Sequence, residues 1–192
     1  MRDLSLHLLD IMMNSISADA SEIALSIDLD TNIHAYTISV TDNGVGFLLQ
    51  NSQDVADPFY TTKRSRKVGL GLSLFREACE KTGGTMSIDP ACPNGVCVRA
   101  SMFLASVDSI PLGDIAQTMA GLIFTNPSIT FSATFCRDHV QEARFNSCDV
   151  RLKFGQDVSN ANTDVYLYIY DTISNQEQMI FGGSKNEDTF RT

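Results

Sequence analysis

The sequence has no long apolar run. No stretch of its 192 residues approaches the roughly 20 consecutive apolar residues that a helix needs to span a bilayer, so a membrane-spanning chain is not expected. Positive charge is scarce as well. Fourteen Lys and Arg stand against 23 Asp and Glu, a formal net charge of -9, and the sequence pI is about 4.6. A surface of that sign argues against nucleic acid or an anionic membrane as the main partner, though not against a locally basic anion site. The N-terminus, Met1-Arg2-Asp3-Leu4, carries one charge of each sign and no small-residue cleavage pattern. No secretory signal is therefore expected, and the expected compartment is the cytoplasm. Cysteines are five, at Cys79, Cys92, Cys97, Cys136 and Cys148, with no pair at the spacing of a zinc knuckle. Reduced, buried thiols are the first expectation. A redox or metal role for Cys92 and Cys97, separated by a Pro-Asn-Gly-Val turn, is the alternative. There is no internal repeat, and 43% hydrophobic content supplies one full core with room for a second small one.

The stretch that organises the chain is Thr41-Asp42-Asn43-Gly44-Val45-Gly46-Phe47. It follows an alternating run in which Tyr36, Ile38 and Val40 share one face of a strand. Asp-Asn-Gly alone is turn chemistry. Its company, upstream and downstream, points to a nucleotide pocket.

Upstream, Asp3, His7, Asp10, Asn14 and Ser17 recur at helical spacing, forming one polar stripe among Leu4, Leu6, Leu8, Leu9, Ile11, Met12, Met13 and Ile16. Such a stripe faces water, a partner or a ligand cavity, because a buried unpaired carboxylate is costly. Asp10 and Asn14, four apart, point into one space. A carboxylate beside a carboxamide oxygen can orient a water and ligate a hard cation such as magnesium. Glu22 to Leu29 reads as a strand returning through Asp30-Thr31-Asn32 to the Tyr36–Val40 strand.

Downstream, Lys63, Arg64, Arg66 and Lys67 place four cations in five positions just before Val68-Gly69-Leu70-Gly71-Leu72-Ser73. Alone, the run reads as solvated charge. Feeding a Gly-x-Gly and then a helix, it makes an anion site, because glycine lets backbone N–H groups approach and a helix N-terminus favours negative charge. The spacing is neither a dinucleotide fingerprint nor a P-loop. The helix is expected over residues 70–81, ending at Gly83-Gly84. Strands are expected over 85–89 and 96–104, around a turn at Pro90–Gly95. A boundary falls near 106–113. Beyond it the pattern predicts a helix over 114–124, strands over 128–135 and 143–146, and a short helix over 149–154 capped by Ser147. Residues 164–178 predict another helix, although Val-Tyr-Leu-Tyr-Ile-Tyr favours strand by propensity. Residues 181–192 are expected to be a loose tail.

With these elements in order, the chain resembles the GHKL superfamily, which includes gyrase B, the heat-shock chaperone ATPases, MutL and the histidine kinases. Asp10-Ile-Met-Met-Asn14 resembles the N box, and Asp42-Asn-Gly-Val-Gly46 the first glycine box. Pro58-Phe-Tyr-Thr-Thr-Lys63 resembles the phenylalanine box of histidine kinases, and Gly69-Leu-Gly71-Leu-Ser the second glycine box. More loosely, the whole chain, including Pro111-Leu-Gly-Asp-Ile-Ala and Asn126-Pro, resembles small stand-alone bacterial ATP-binding proteins of this type.

The resemblance implies an α+β architecture, the two-layer Bergerat ATP-binding fold, with a mixed, mostly antiparallel sheet covered by helices on one face. It implies a domain over residues 1–105, followed by a small α+β region over 106–180. ATP and Mg²⁺ are the implied ligands. Asp42 would accept the adenine amine, and Gly44 and Gly46 would admit base and ribose. Asn14 would ligate magnesium. Thr62, Lys63, Gly69 and Gly71 would hold phosphates under a lid of residues 61–68. Asp10 stands where many relatives carry a Glu that activates water or hydroxyl, one methylene shorter. Lys67 stands where the second glycine box usually begins with Gly. His7, His34 and His139 lack the context of a phosphoacceptor helix, so autophosphorylation in cis is not expected. Three readings follow: an ATPase or a kinase acting on a separate protein, a non-catalytic ATP-gated module contacting a partner through 106–180, and an interaction protein with a degenerate pocket. A homodimer is left open.

Overall fold

A computed structural model of the chain describes residues 3–46, 70–91, 93–155 and 163–182. The first helix, α1 (Leu4–Ser17), is capped by Asp3, whose carboxylate accepts the Leu6 amide at 3.1 Å and the Ser5 hydroxyl at 2.7 Å. Leu4, Leu8, Ile11 and Ser15 recur four, three and four apart and are all buried, one stripe of a helix pressed onto a core.

Strands β1 (Glu22–Asp30) and β2 (Ala35–Asp42) form an antiparallel hairpin. Its turn is built by Asp30, whose Oδ1 accepts the amides of Asn32 and Ile33 at 2.8 and 3.2 Å. Helix α2 (Leu70–Lys81) has the bounds expected from the sequence and stops at Gly83, with φ of 82°. Glycine adopts that left-handed conformation without strain. Strands β3 (Met86–Pro90) and β4 (Val96–Phe103) make a second antiparallel hairpin.

The later residues join the same sheet. After α3 (Ile115–Thr125), strand β5 (Thr130–Arg137) pairs parallel to β1, and β6 (Gln141–Asn146) pairs antiparallel to β5. The order β3-β4-β2-β1-β5-β6 makes one mixed six-stranded sheet, antiparallel except at β1–β5. Helices α4 (Ser147–Phe154) and α5 (Thr163–Phe181) complete the described elements. In β1, β2 and β5 every second residue is buried. Helices α1, α2, α3 and α5 pack together on that buried side. The architecture is the expected α+β, two-layer one.

The described residues of the 106–180 stretch, set apart by the sequence reading, share this sheet and its core. Met119 of α3, Phe131 and Phe135 of β5 and Ile169 and Ile173 of α5 join Leu8, Ile27, Ile38 and Met102 in one buried cluster. The tail expectation needs correcting at its first residue. Phe181 ends α5, is 1% exposed and meets both Phe135 and Tyr36 edge-on, with ring centroids 5.9 Å apart in each pair. The cap of α4 also differs from expectation. Asn146 accepts the Cys148 amide at 2.8 Å, while Ser147 is buried and receives the Phe131 amide at 2.9 Å. In α5, Val165, Ile169, Ile173 and Phe181 are buried at helical spacing. Burial of that stripe overrides the strand propensity of its tyrosine-rich start.

Candidate nucleotide site

Asp42 is the last residue of β2 and lies on its buried side, 9% exposed. A carboxylate removed from water needs donors, and three converge on it. The Ser15 hydroxyl donates to Oδ2 at 2.6 Å, and the amides of Gly44 and Val96 donate to Oδ1 at 3.0 and 3.3 Å. A carboxylate offers about four acceptor positions. Oδ1 takes two donors and Oδ2 takes one, so the position left for a ligand is on Oδ2.

The loop after Asp42 is tied down on both sides. Asn43 Oδ1 accepts the amides of Ser21 and Glu22, each at 2.9 Å, and its Nδ2 donates to Ser21 Oγ. The Val45 amide donates to the Ala18 carbonyl at 2.9 Å. A Cβ at Gly44 would lie 2.6 Å from that same carbonyl oxygen. In this structure the missing side chain of Gly44 therefore admits the C-terminal end of α1. Gly46 has φ of 68°, and Gly95, with φ of 103°, has no room for a Cβ beside the Asp42 main chain. The second hairpin thereby brings Val96 to Asp42.

Asp10 lies half-buried on the side of α1 that faces α2. A Cβ built on Gly71 would coincide with Asp10 Oδ2 and lie 2.6 Å from its Cγ. Asp10 and Gly71 are in contact. Asn14, one turn further along α1, is exposed. The polar stripe as a whole does not line one space, which corrects the expectation for His7. Its side chain is 3% exposed and stacks on Phe75 of α2, with ring centroids 5.3 Å apart. Burial holds the His7 imidazole below its ordinary pKa, against the opposing pull of Asp10 and Asp3. Asp3 serves as the helix cap.

Thr62, Lys63, Gly69 and the expected lid over 61–68 lie outside the described residues, as does Cys92. Cys97 is a buried free thiol accepting from the Thr41 hydroxyl at 3.2 Å. The thiol of Cys79 is also free, and burial pushes its pKa up to about 12. Among the described residues no group of three or more His, Cys, Asp and Glu could hold a metal ion, and no helix is long and apolar enough to cross a membrane.

Sequence reasoning missed Ser15 and Val96. A signal for Ser15 was present: a serine at the end of the inward row Leu4, Leu8, Ile11 needs a partner inside the fold. Nothing local marked Val96, whose amide reaches Asp42 only through strand pairing.

This fold, with Asp42 under α1 and Asp10 against the first turn of α2, defines an ATP-binding domain of the ATPase and kinase type. The chain belongs to the histidine kinase-, DNA gyrase B- and HSP90-like ATPase family, which matches residues 2–106. It is 32% identical over 95 residues to Sporulation kinase B of Bacillus subtilis strain 168, covering 49% of this chain and 22% of that protein. It is 31% identical over 81 residues to the sensor histidine kinase ZraS of Escherichia coli strain K12, covering 42% of this chain and 17% of that protein. The chain thus spans about a fifth of the length of these curated relatives. A solved structure described as the N-terminal domain of a DNA repair protein has the same fold. It matches with a TM-score of 0.55 and 17% identity, covering 75% of this chain and 52% of that one.

Proposed function

We propose that the chain binds ATP with Mg²⁺ and either hydrolyses it slowly or passes its terminal phosphoryl group to a separate protein. The observation that carries this reading is the Asp42 carboxylate, fixed by three donors with one acceptor position left on Oδ2. A fixed acceptor of that kind suits the exocyclic amine of adenine and rejects guanine, which presents a carbonyl oxygen there. Gly44 and Gly46, whose missing side chains make room for Ala18 and Gly95, would offer only their backbone to base and ribose.

Asp10 and Asn14 fit a hard cation. They are oxygen donors four residues apart on α1, and magnesium completes its shell with water and phosphate oxygens. When bound, the cation would neutralise charge on the phosphates. Asn14 would hold it, while Gly69, Gly71, Thr62 and Lys63 would hold the phosphates and Asp10 would take a proton from the attacking water or hydroxyl. The kinase relatives support phosphoryl transfer. Residues 106–180 are the proposed contact region for a partner protein, with Leu152, Leu167 and Met179 exposed on α4 and α5.

Calorimetric titration with ATP and GTP, with magnesium and then with EDTA, followed by a phosphate-release assay, tests this reading. ATP should bind far more tightly than GTP and more weakly on chelation. Equal affinities for the two nucleotides would remove the adenine assignment.

A further inference from the structure

Helices α1 and α3 start side by side. The Leu4 and Ser5 amides donate to the Pro111 and Leu112 carbonyls at 2.9 and 3.0 Å, and a Cβ at Gly113 would lie 2.7 Å from Asp3 Oδ1. From that shared end the two helices border a groove of about 550 Å³. Its α1 side is formed by Leu6, Leu9 and Met13, three and four residues apart and so on one face. Leu6 and Met13 are 41% and 45% exposed. Opposite them Leu122 is buried, and beside it nothing lies within 4 Å of a Cβ added at Gly121. Scattered exposed apolar side chains are ordinary, but these share one concave surface. Among the described residues that line it, the charged ones are Asp3 and Asp114, both acidic and both at the shared end. Each caps its own helix through Oδ1. Helix α3 lies beyond the family-matched residues 2–106, so the groove belongs to this chain and not to the family's common core.

We propose that this groove seats an amphipathic helix of a partner protein, apolar on the side it buries and carrying Lys or Arg in its last turn. From Asp3 to Met13 α1 rises about 15 Å, a length that about three turns of a docked helix span. Apolar anchors three and four residues apart on the partner meet Leu6, Leu9, Met13 and Leu122, the mode of a helix laid in a groove. Charge fixes the direction. A helix lying antiparallel to α1 and α3 brings its C-terminal turn, where its own dipole favours cations, to Asp3 and Asp114. A second copy of this chain, with a net charge of -9, suits that acidic end poorly. Docking here adds a surface to the partner contact proposed above and requires no nucleotide. It also touches the helix whose Ser15 holds Asp42 and whose Asp10 meets Gly71.

The test titrates the full chain with stapled helical peptides of about 12 residues, each with leucines at three-and-four spacing on one face. One peptide carries two arginines in its last turn, a second carries them in its first turn, and a third replaces them with glutamates. Amide chemical shifts locate the site, and fluorescence anisotropy at low salt gives the affinity. The first peptide should shift the amides of Leu6, Leu9, Met13 and Gly121. The glutamate peptide should bind about tenfold more weakly, and the arginine-first peptide should also bind more weakly than the first. Asp114→Asn, which keeps the helix cap, should weaken the first peptide about threefold. Gly121→Phe, which fills the groove, should abolish binding, with its urea midpoint showing that it is folded. If it is not folded, the double substitution Leu6→Ser and Met13→Ser at exposed positions makes the same comparison. Absence of shifts at the groove would overturn the proposal, as would equal affinity for all three peptides. Sedimentation of the wild type as a dimer that Gly121→Phe makes monomeric would assign the groove to a second copy and overturn it as well. Peptide binding by a chain that fails to bind ATP would leave the docking site standing and remove the ATP-binding reading alone.

Discussion

Ser15 Oγ donates to Asp42 Oδ2 at 2.6 Å, joining the last turn of the first helix to the end of the second strand across 27 positions of sequence. Both side chains are buried. Ser15→Ala leaves the carboxylate short of one donor and should destabilise the fold by about 1–3 kcal/mol. Asp42→Asn replaces an acceptor with a mixed group and should cost about 1.5–3 kcal/mol of ATP affinity. A double-mutant cycle, read by chemical denaturation and by ATP titration, measures the coupling. Strictly additive single effects would mean that the bond does not position Asp42.

Two glycines should respond oppositely to alanine. At Gly44 the new Cβ would stand 2.6 Å from the Ala18 carbonyl oxygen, and the backbone must shift at a cost of about 1–3 kcal/mol. At Gly121, inside α3, nothing lies within 4 Å of the new atom, and alanine should stabilise by about 0.5–1 kcal/mol through reduced unfolded-state freedom. Urea midpoints of the two variants compare them directly.

The buried His7 should make stability depend on pH. Its folded-state pKa is lowered by burial, so near pH 6 the unfolded chain binds more protons than the folded one, and stability rises with pH. The contribution is fully present above the unfolded value of about 6.5 and is lost as pH falls from there toward the folded value. Wild type should therefore lose more stability than His7→Leu between about pH 7.5 and about pH 5.5. Parallel unfolding curves for the two proteins across that range would rule this out.

Turnover should depend on Asp10. A well-placed general base contributes on the order of a hundredfold to ten-thousandfold, and a carboxylate one methylene short lies at the lower end. Asp10→Asn should slow phosphate release at saturating ATP by on the order of a hundredfold, and Asp10→Glu should raise it above wild type. If Asp10→Asn releases phosphate at the wild-type rate, Asp10 is not the base and the site is an ATP-gated module.

Residues 1–105 alone should fail to reach the native state. Their removal from the chain strips β5 from the edge of β1 and uncovers apolar side chains that α3 and α5 now bury. Within the full chain, Phe181→Ala should cost about 3–5 kcal/mol, because its ring is enclosed by Phe135 and Tyr36. Circular dichroism and denaturation of both proteins test this. A truncated chain with a cooperative native-like transition would show that the N-terminal residues hold a core of their own.

The sequence by itself determined the elements and the family. Periodicity marked α1, the alternating strands and the bounds of α2, because residues sharing a face recur at 3.6 or 2 positions. The motifs around Asp10, Asp42 and Gly71 pointed to the ATP-binding family, since each depends on residue type at short spacing. What only the tertiary structure decided involves residues distant along the chain. Parallel pairing of β5 with β1 joins residues 106–180 to the first sheet, and no local pattern specifies which strand edge a later strand will choose. His7 belonged to the polar stripe by spacing, but the packing of Phe75 from α2 made it a core residue. The Asp42 carboxylate receives its donors from α1, its own loop and β4, and those donors converge only once the helix lies on the sheet.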